Sequence, residues 1–490
     1  MRDDRATRWL AAMVVWAAAG SAAAQDSGPR LRSLPASAML GVERLRLPDN
    51  ERMGLLGVSY VLELAPGWWV GPSMYGAATG QRGGLFAWGG EVQRRWRVGE
   101  HTGLVAGLFA GGGGGAAAPV GGGLMLRPHI DWMVDYGGWQ LGLTASHVRF
   151  PSGKIRSNQL GLLLMVDDRY VFAAPGHAGR TVEHAGRGGI GADRMHPTVG
   201  VYGSRGDGSG RLGYVGLRLE QQATRELSAT IEASGAASGG ADGYMEVLAG
   251  LAMSWPVGHP QLQFGLRAAA GLAGGGAVKT GGGPIGKGAV TARWQVHPNV
   301  SLDLEAGRVT AFTGRFDAPY VQASVGMSLG DRRMRQAGWP TKQTLQDMEW
   351  GIGVLHYHDA ARKDGSSRPM DLVTLQFNRA LTPHLYLSGQ AHAAAVGGAG
   401  AYAVGLVGLG ATTRLGESPF RAGVEALVGA AGGGGVNIQG GAMAQPMAWL
   451  GWDLGTHSRL KVAAGYLKAR HGPLATPVAQ LSWSLQFGTP

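Results

Sequence analysis

Cysteine is absent from all 490 residues, so no disulfide can staple this chain and no thiolate can act as nucleophile or metal ligand. Charge is scarce, with Asp, Glu, Lys and Arg making up only 16%. Beyond residue 25 there is no apolar run of the roughly 20 residues that a membrane-spanning helix requires. Helix is disfavoured throughout, because glycine supplies 87 residues and costs about 1 kcal/mol at each helix-interior site. These shortages leave a sheet protein held by backbone pairing. The formal charge of +11 does not point to nucleic acid: Lys and Arg are scattered singly, with no basic stripe and no interleaved aromatics. An anionic surface is the better counterpart for that charge.

What is present is one pattern, written three times. Residues 106–132, AGLFAGGGGGAAAPVGGGLMLRPHIDW, are echoed by residues 265–294 and again by residues 423–452. Each copy is a run alternating small and large apolar residues, two glycine clusters with a few variable residues between them, and a second alternating run closed by Trp. The spacing of roughly 160 residues is domain-sized, far longer than a solenoid or propeller repeat.

Arg2, Arg5 and Arg8, the apolar stretch Trp9–Ala19 and the small residues Ala22–Ala24 have the layout of a cleaved secretory signal over residues 1–24. After a short polar segment the period is two nearly everywhere, the signature of strands with one apolar face. The alternation divides into eight strands in residues 37–166, eight in 196–330 and eight in 349–490, and predicts an all-β, antiparallel, up-and-down architecture of three eight-stranded repeats. Connections alternate between tight turns, such as Ala65-Pro66-Gly67 and His297-Pro298-Asn299, and longer loops, such as Arg205–Gly210, Gly235–Gly243, Asp359–Arg368 and the three glycine clusters. Short turns at one rim and long loops at the other are the layout of a transmembrane β-barrel, the sheet form that leaves no unpaired edge in lipid. Tryptophans at strand ends (Trp68, Trp69, Trp96, Trp132, Trp255, Trp294, Trp449, Trp452) suit an interfacial girdle. Residues 167–195 and 331–348 break the pattern between repeats and read as linkers on the short-turn, periplasmic side.

The final strand, Gln480 to Phe487, alternates apolar residues outward and ends in an aromatic. It resembles the C-terminal assembly signal of Gram-negative outer-membrane β-barrel proteins, except that Gly488-Thr489-Pro490 follow. The resemblance implies residence in the cell outer membrane, contact with its lipid and lipopolysaccharide, and insertion by the barrel assembly machinery. It implies a structural or transport role of the broad porin-like kind. An export pore or scaffold for surface polysaccharide and a lipid A-modifying membrane enzyme are the alternatives.

Within the repeats, parity places Arg218, Glu220, Glu232, Glu246, Arg267, Arg293, Asp303 and Glu305 on one inward face, with the small residues Gly265, Ser301 and Gly307, while Leu302 and Leu304 point outward. An eight-stranded barrel is just wide enough for side chains to fill it, whereas sixteen or more strands enclose water. Charges of both signs gathered within one repeat therefore favour three tandem barrels, with a single 24-stranded barrel as the alternative. Arg127, His129 and Asp131 share a face beside Ser146 and His147, and His356 and His358 share another, but neither set meets the requirements of catalysis or metal binding. Ser146 and His147, adjacent on a strand, point to opposite faces, and the histidine pair has no third ligand at suitable spacing. The glycine clusters lack the Lys-Ser/Thr and the following helix of a phosphate-binding loop, and read as tight bends and close backbone approach at the outer rim. No catalytic, cofactor-binding or metal residue is assigned, and no cofactor is implied.

Overall fold

The computed structural model describes residues 30–183, 192–206, 210–224, 226–329 and 342–489. The expected signal segment, residues 184–191 of the first expected linker and residues 331–341 of the second lie outside these residues. The alternating runs fold as β1 (Arg32–Arg46), β2 (Arg52–Ala65), β3 (Trp68–Thr79), β4 (Phe86–Arg97), β5 (Thr102–Gly114), β6 (Met125–Asp135), β7 (Trp139–Arg149) and β8 (Arg156–Phe172). After the short β9 (Thr181–Glu183) come β10 (Arg194–Tyr202), β11 (Leu212–Gln222), β12 (Leu227–Ser238), β13 (Met245–Val257), β14 (His259–Gly274), β15 (Pro284–His297), β16 (Val300–Ala311) and β17 (Asp317–Ser328). After the short β18 (Lys342–Thr344) come β19 (Gln346–Ala361), β20 (Ser367–Ala380), β21 (Leu385–Val396), β22 (Ala403–Arg414), β23 (Phe420–Gly432), β24 (Ala442–Asp453), β25 (Ser458–Ala469) and β26 (Ala475–Thr489).

Each set of eight closes on itself. β1 pairs antiparallel with both β2 and β8, β10 with β11 and β17, and β19 with β20 and β26, giving three closed barrels rather than one of 24 strands. Closure satisfies the edge groups that an open sheet would leave bare in hydrocarbon. The tight turns gather at one rim of each barrel and the glycine-rich loops at the other.

The linkers are shorter than expected. β8 runs on to Phe172 because β1 begins early enough to pair with it, Arg32 opposite Phe172, so residues 167–172 are barrel wall. At the third barrel Gln346 already pairs with Thr489. What remains of the two linkers meets in a two-stranded sheet of β9 and β18. Two loops shrink as well: β12 continues to Ser238 and β19 to Ala361, so the extended ladder takes residues expected in connections.

Candidate functional site: packed barrel interiors and an interbarrel chamber

Strand parity sends the polar residues inward, as expected. In the first barrel Ser59 and Ser73 donate to Glu91 at 3.0 and 2.6 Å, and His129 lies between Glu91 (3.1 Å) and Asp131 (2.9 Å). Arg127 forks onto Glu43, which also accepts from Ser146 at 3.1 Å. Ser146 is thus bonded to Glu43 and Gln159, and His147 points the other way, toward Asn158. Ser146 and His147 are therefore not assembled as a nucleophile and base pair. The void left among them is about 20 Å³, room for about one water.

The second barrel is the most highly charged. Arg218 and Arg267 hold Glu305 at 2.7 and 3.0 Å, Arg267 reaches Glu232 at 3.2 Å, and Arg293 bridges Glu220 (2.7 Å) and Asp303. Lys287 joins Glu246 at 2.7 Å and Glu232 at 3.3 Å, and His196 lies between Glu220 and Asp303. Lys287 and His196 were missed in the sequence, although Lys287 has the same strand parity as Arg293. Its glycine-rich surroundings hid the alternation. In the third barrel Glu425 accepts from Tyr386 at 2.7 Å, Gln390 at 2.8 Å and Gln376 at 3.0 Å, and Arg459 meets Asp453 at 2.6 Å. These interiors are cores of paired charge, the form a filled eight-stranded barrel must take.

The outward faces are apolar, with Leu160, Ile130, Val290, Leu304, Leu450 and Val462 all exposed. Trp68, Trp96, Trp132, Trp255, Trp294 and Trp452 are exposed near the tight-turn rims, as the sequence reading expects. Two of the eight tryptophans expected there face inward instead. Trp449 is buried and donates to Tyr386 at 2.8 Å, and Trp69 stacks beneath the Arg95 guanidinium at 3.8 Å. Parity governs them: Trp449 shares its face with Met447, directly opposite inward Glu425. His356 is half-exposed and bonded to Asp371 at 2.7 Å, and no cluster of three or more metal-ligating side chains is assembled among the described residues.

The glycine clusters do more than bend the chain. The β14–β15 cluster of the second barrel packs on the β3–β4 loop of the first, where the Gly83 amide donates to the Gly281 carbonyl at 2.9 Å. The β5–β6 cluster of the first barrel packs on the β21–β22 loop of the third, where the Gly400 amide donates to Gly121 at 2.9 Å. The β23–β24 cluster of the third barrel packs on the β12–β13 loop of the second. A Cβ on Gly432 would stand 2.0 Å from the Gly243 amide nitrogen. The loop after the fifth strand of each barrel thus seats on the loop after the third strand of the next, a head-to-tail contact that closes after three. Lys363 and Asp242 bridge one seam at 3.0 Å. Burial works to raise the Asp242 carboxyl, but the Lys363 hydrogen bond and charge, with backbone amides, hold it below the ordinary carboxylate range. At another loop, hydrogen bonding and charge from Arg82 lower Glu51.

Beneath the seams Phe86 and Trp88 of the first barrel, Leu272 of the second and Ala393 of the third form one buried cluster. At the opposite rim Tyr170 of the first barrel packs against Trp350 and Phe487 of the third, each with ring centroids 5.4 Å away. Phe487, the aromatic closing the last strand, therefore points outward into an interbarrel seam, where Gly488 also exchanges backbone hydrogen bonds with Ala173. The three barrels flank a partly open chamber of about 2020 Å³. Because it is walled by outward barrel faces, its lining is mostly apolar: Leu62, Val199, Leu217, Leu304, Leu375 and Val428 are typical, with a few charged side chains such as Arg379, Lys468 and Arg470 among them.

No family model matches the chain, and no curated protein matches it. Among solved structures the chain is similar to OpdQ of Pseudomonas aeruginosa (8% identity, 94% of this chain and 98% of that one, TM-score 0.20). It is similar to OccK8 (OprE) of the same organism (9% identity, 94% and 98%, TM-score 0.23) and to OccAB4 of Acinetobacter baumannii (8% identity, 95% and 100%, TM-score 0.22). With identities and scores this low, the functional reading rests on the geometry of the chain itself.

Proposed function

We propose that this chain is an integral outer-membrane protein with a structural or transport role of the broad porin-like kind, whose route lies between its barrels rather than through them. The observation that carries this reading is the pairing of three side-chain-filled lumens with one apolar chamber ringed by all three. Closed barrels with apolar outer walls and a tryptophan girdle suit lipid on every outer face. A polysaccharide export pore and a lipid A-modifying enzyme have less support: a packed lumen offers a polymer no passage, and the Glu43 carboxylate that accepts from Ser146 is neutralised by Arg127 inside that packed lumen. The first strand begins and the last strand ends on the periplasmic side in this reading, because each barrel has an even number of strands and the tight turns mark that rim.

Planar-bilayer recording tests the proposal. The purified full-length protein should give little or no steady conductance, since water and ions find no continuous path through a packed core. Large, stable channels would mean that the interiors open to water, and would return the route to the lumens.

A further inference from the structure

Arg379 breaks the pattern of the outer walls. It is on β20, one residue before the strand ends at the tight-turn rim, and its parity is that of outward Phe377 rather than inward Asn378. An arginine on the lipid-facing side of a barrel is costly, and natural chains place one there only with a partner. Arg379 is only 8% exposed and lines the interbarrel chamber. One amino group donates to the backbone carbonyl of Leu329, at the end of the second barrel. Its Nε and the other amino group have no partner, and among the described residues no carboxylate pairs with it. The inward charges described above, apart from Arg95, which bonds to Gln93 and stacks on Trp69, each have an opposite charge within reach. Here a guanidinium face is left open beside an apolar space.

That juxtaposition specifies a ligand: an anionic head with several acceptor oxygens, able to take N–H bonds from the Nε and Nη1 edges of the guanidinium, attached to a large hydrocarbon body. The chamber, at about 2020 Å³, has roughly twice the volume at the upper end of ordinary small-molecule sites. Its far end is sealed by the glycine seams and the Phe86, Trp88 and Leu272 cluster, so the head belongs at the tight-turn rim, with the tails directed away from it. We infer that the chamber takes a phospholipid from the periplasmic leaflet, with its phosphate on Arg379 and its acyl chains between the barrels. This deepens the proposed function, resting on it for the orientation of the rims, and names its substrate class.

The test uses the full-length protein extracted from membranes in a mild non-ionic detergent, with co-purifying lipid identified by native mass spectrometry. The lipid-stripped protein is then titrated with phosphatidylglycerol and, separately, with uncharged diacylglycerol. Wild type should retain phospholipid and prefer phosphatidylglycerol. Arg379→Leu keeps the apolar wall and should weaken phosphatidylglycerol binding by about tenfold or more, as expected for losing charge-assisted hydrogen bonds, while leaving diacylglycerol binding unchanged. Gly405→Trp, placed where a Cβ meets nothing within 4 Å and the chamber is open, should reduce binding of both lipids while Arg379 stays intact. Heat-modifiable migration on gels reports separately whether each variant forms barrels, and membrane fractionation reports location, so failure of the location reading is distinguishable from failure of the lipid site. Equal phosphatidylglycerol affinity in wild type and Arg379→Leu overturns the assignment. So does a wild-type chamber that retains no phospholipid, or one that retains only lipopolysaccharide or a free fatty acid.

Discussion

Replacing Gly432 by Val should part the second and third barrels without opening either. Carbon contacts settle near about 3.5 Å, so a Cβ starting 2.0 Å from the Gly243 amide nitrogen pushes the barrels apart by roughly 1.5 Å. The obstruction is backbone, which cannot rotate aside as a side chain could. Overpacking of this kind costs about 1–3 kcal/mol, which is about 5- to 150-fold in the balance between the packed and parted seam. Strand ladders within each barrel are untouched, so heat-modifiable migration should survive. Because the chain has no cysteine, the seam can be read without background. Asp242→Cys with Lys363→Cys, replacing an ion pair whose charged atoms are 3.0 Å apart, can be bridged by a short bifunctional thiol reagent. Crosslinking yield should fall sharply when Gly432→Val is added, and should hold when Gly405→Val is added, since a Cβ at Gly405 meets open space. Undiminished crosslinking in the Gly432→Val background would refute the argument that glycine is required there for backbone approach between barrels.

The barrel interiors and the orientation make separate predictions. Glu232→Gln leaves Arg267 and Lys287, now 3.2 and 3.3 Å from its carboxylate, without one of their shared acids; it should cost about 3–5 kcal/mol, measured as a lower urea midpoint for loss of heat-modifiable migration. Asp317→Asn, in an exposed pair with Arg308, should leave that midpoint unchanged, because solvent screens such pairs. An epitope inserted at Arg362–Gly365, in the loop between β19 and β20, should bind antibody on intact cells; labelling only after permeabilisation would invert the assigned rims.

The local facts were legible in the sequence because alternation is local. A period of two tells which side chains share a face, and from it follow the strands, the apolar outer walls and the inward placement of Arg218, Glu232 and Glu305 without any tertiary knowledge. Where parity was set aside in favour of position at a strand end, as for Trp69 and Trp449, the reading failed although the information was there. Other features depend on which parts of the chain meet, and a strand's sequence does not say that. Every strand edge offers the same N–H and C=O groups, so alternation allows one sheet of 24 strands as readily as three of eight; only the pairings of β1 with β8, β10 with β17 and β19 with β26 decide. The glycine clusters showed that the backbone must be approached closely, but not by what, and the answer is the neighbouring barrel. The chamber has no sequence signature at all, since its walls are ordinary outward-facing apolar residues, and Arg379 stands out only once the fold shows that its outward face is covered. Tertiary structure decided these points because they depend on contacts between residues distant in the chain.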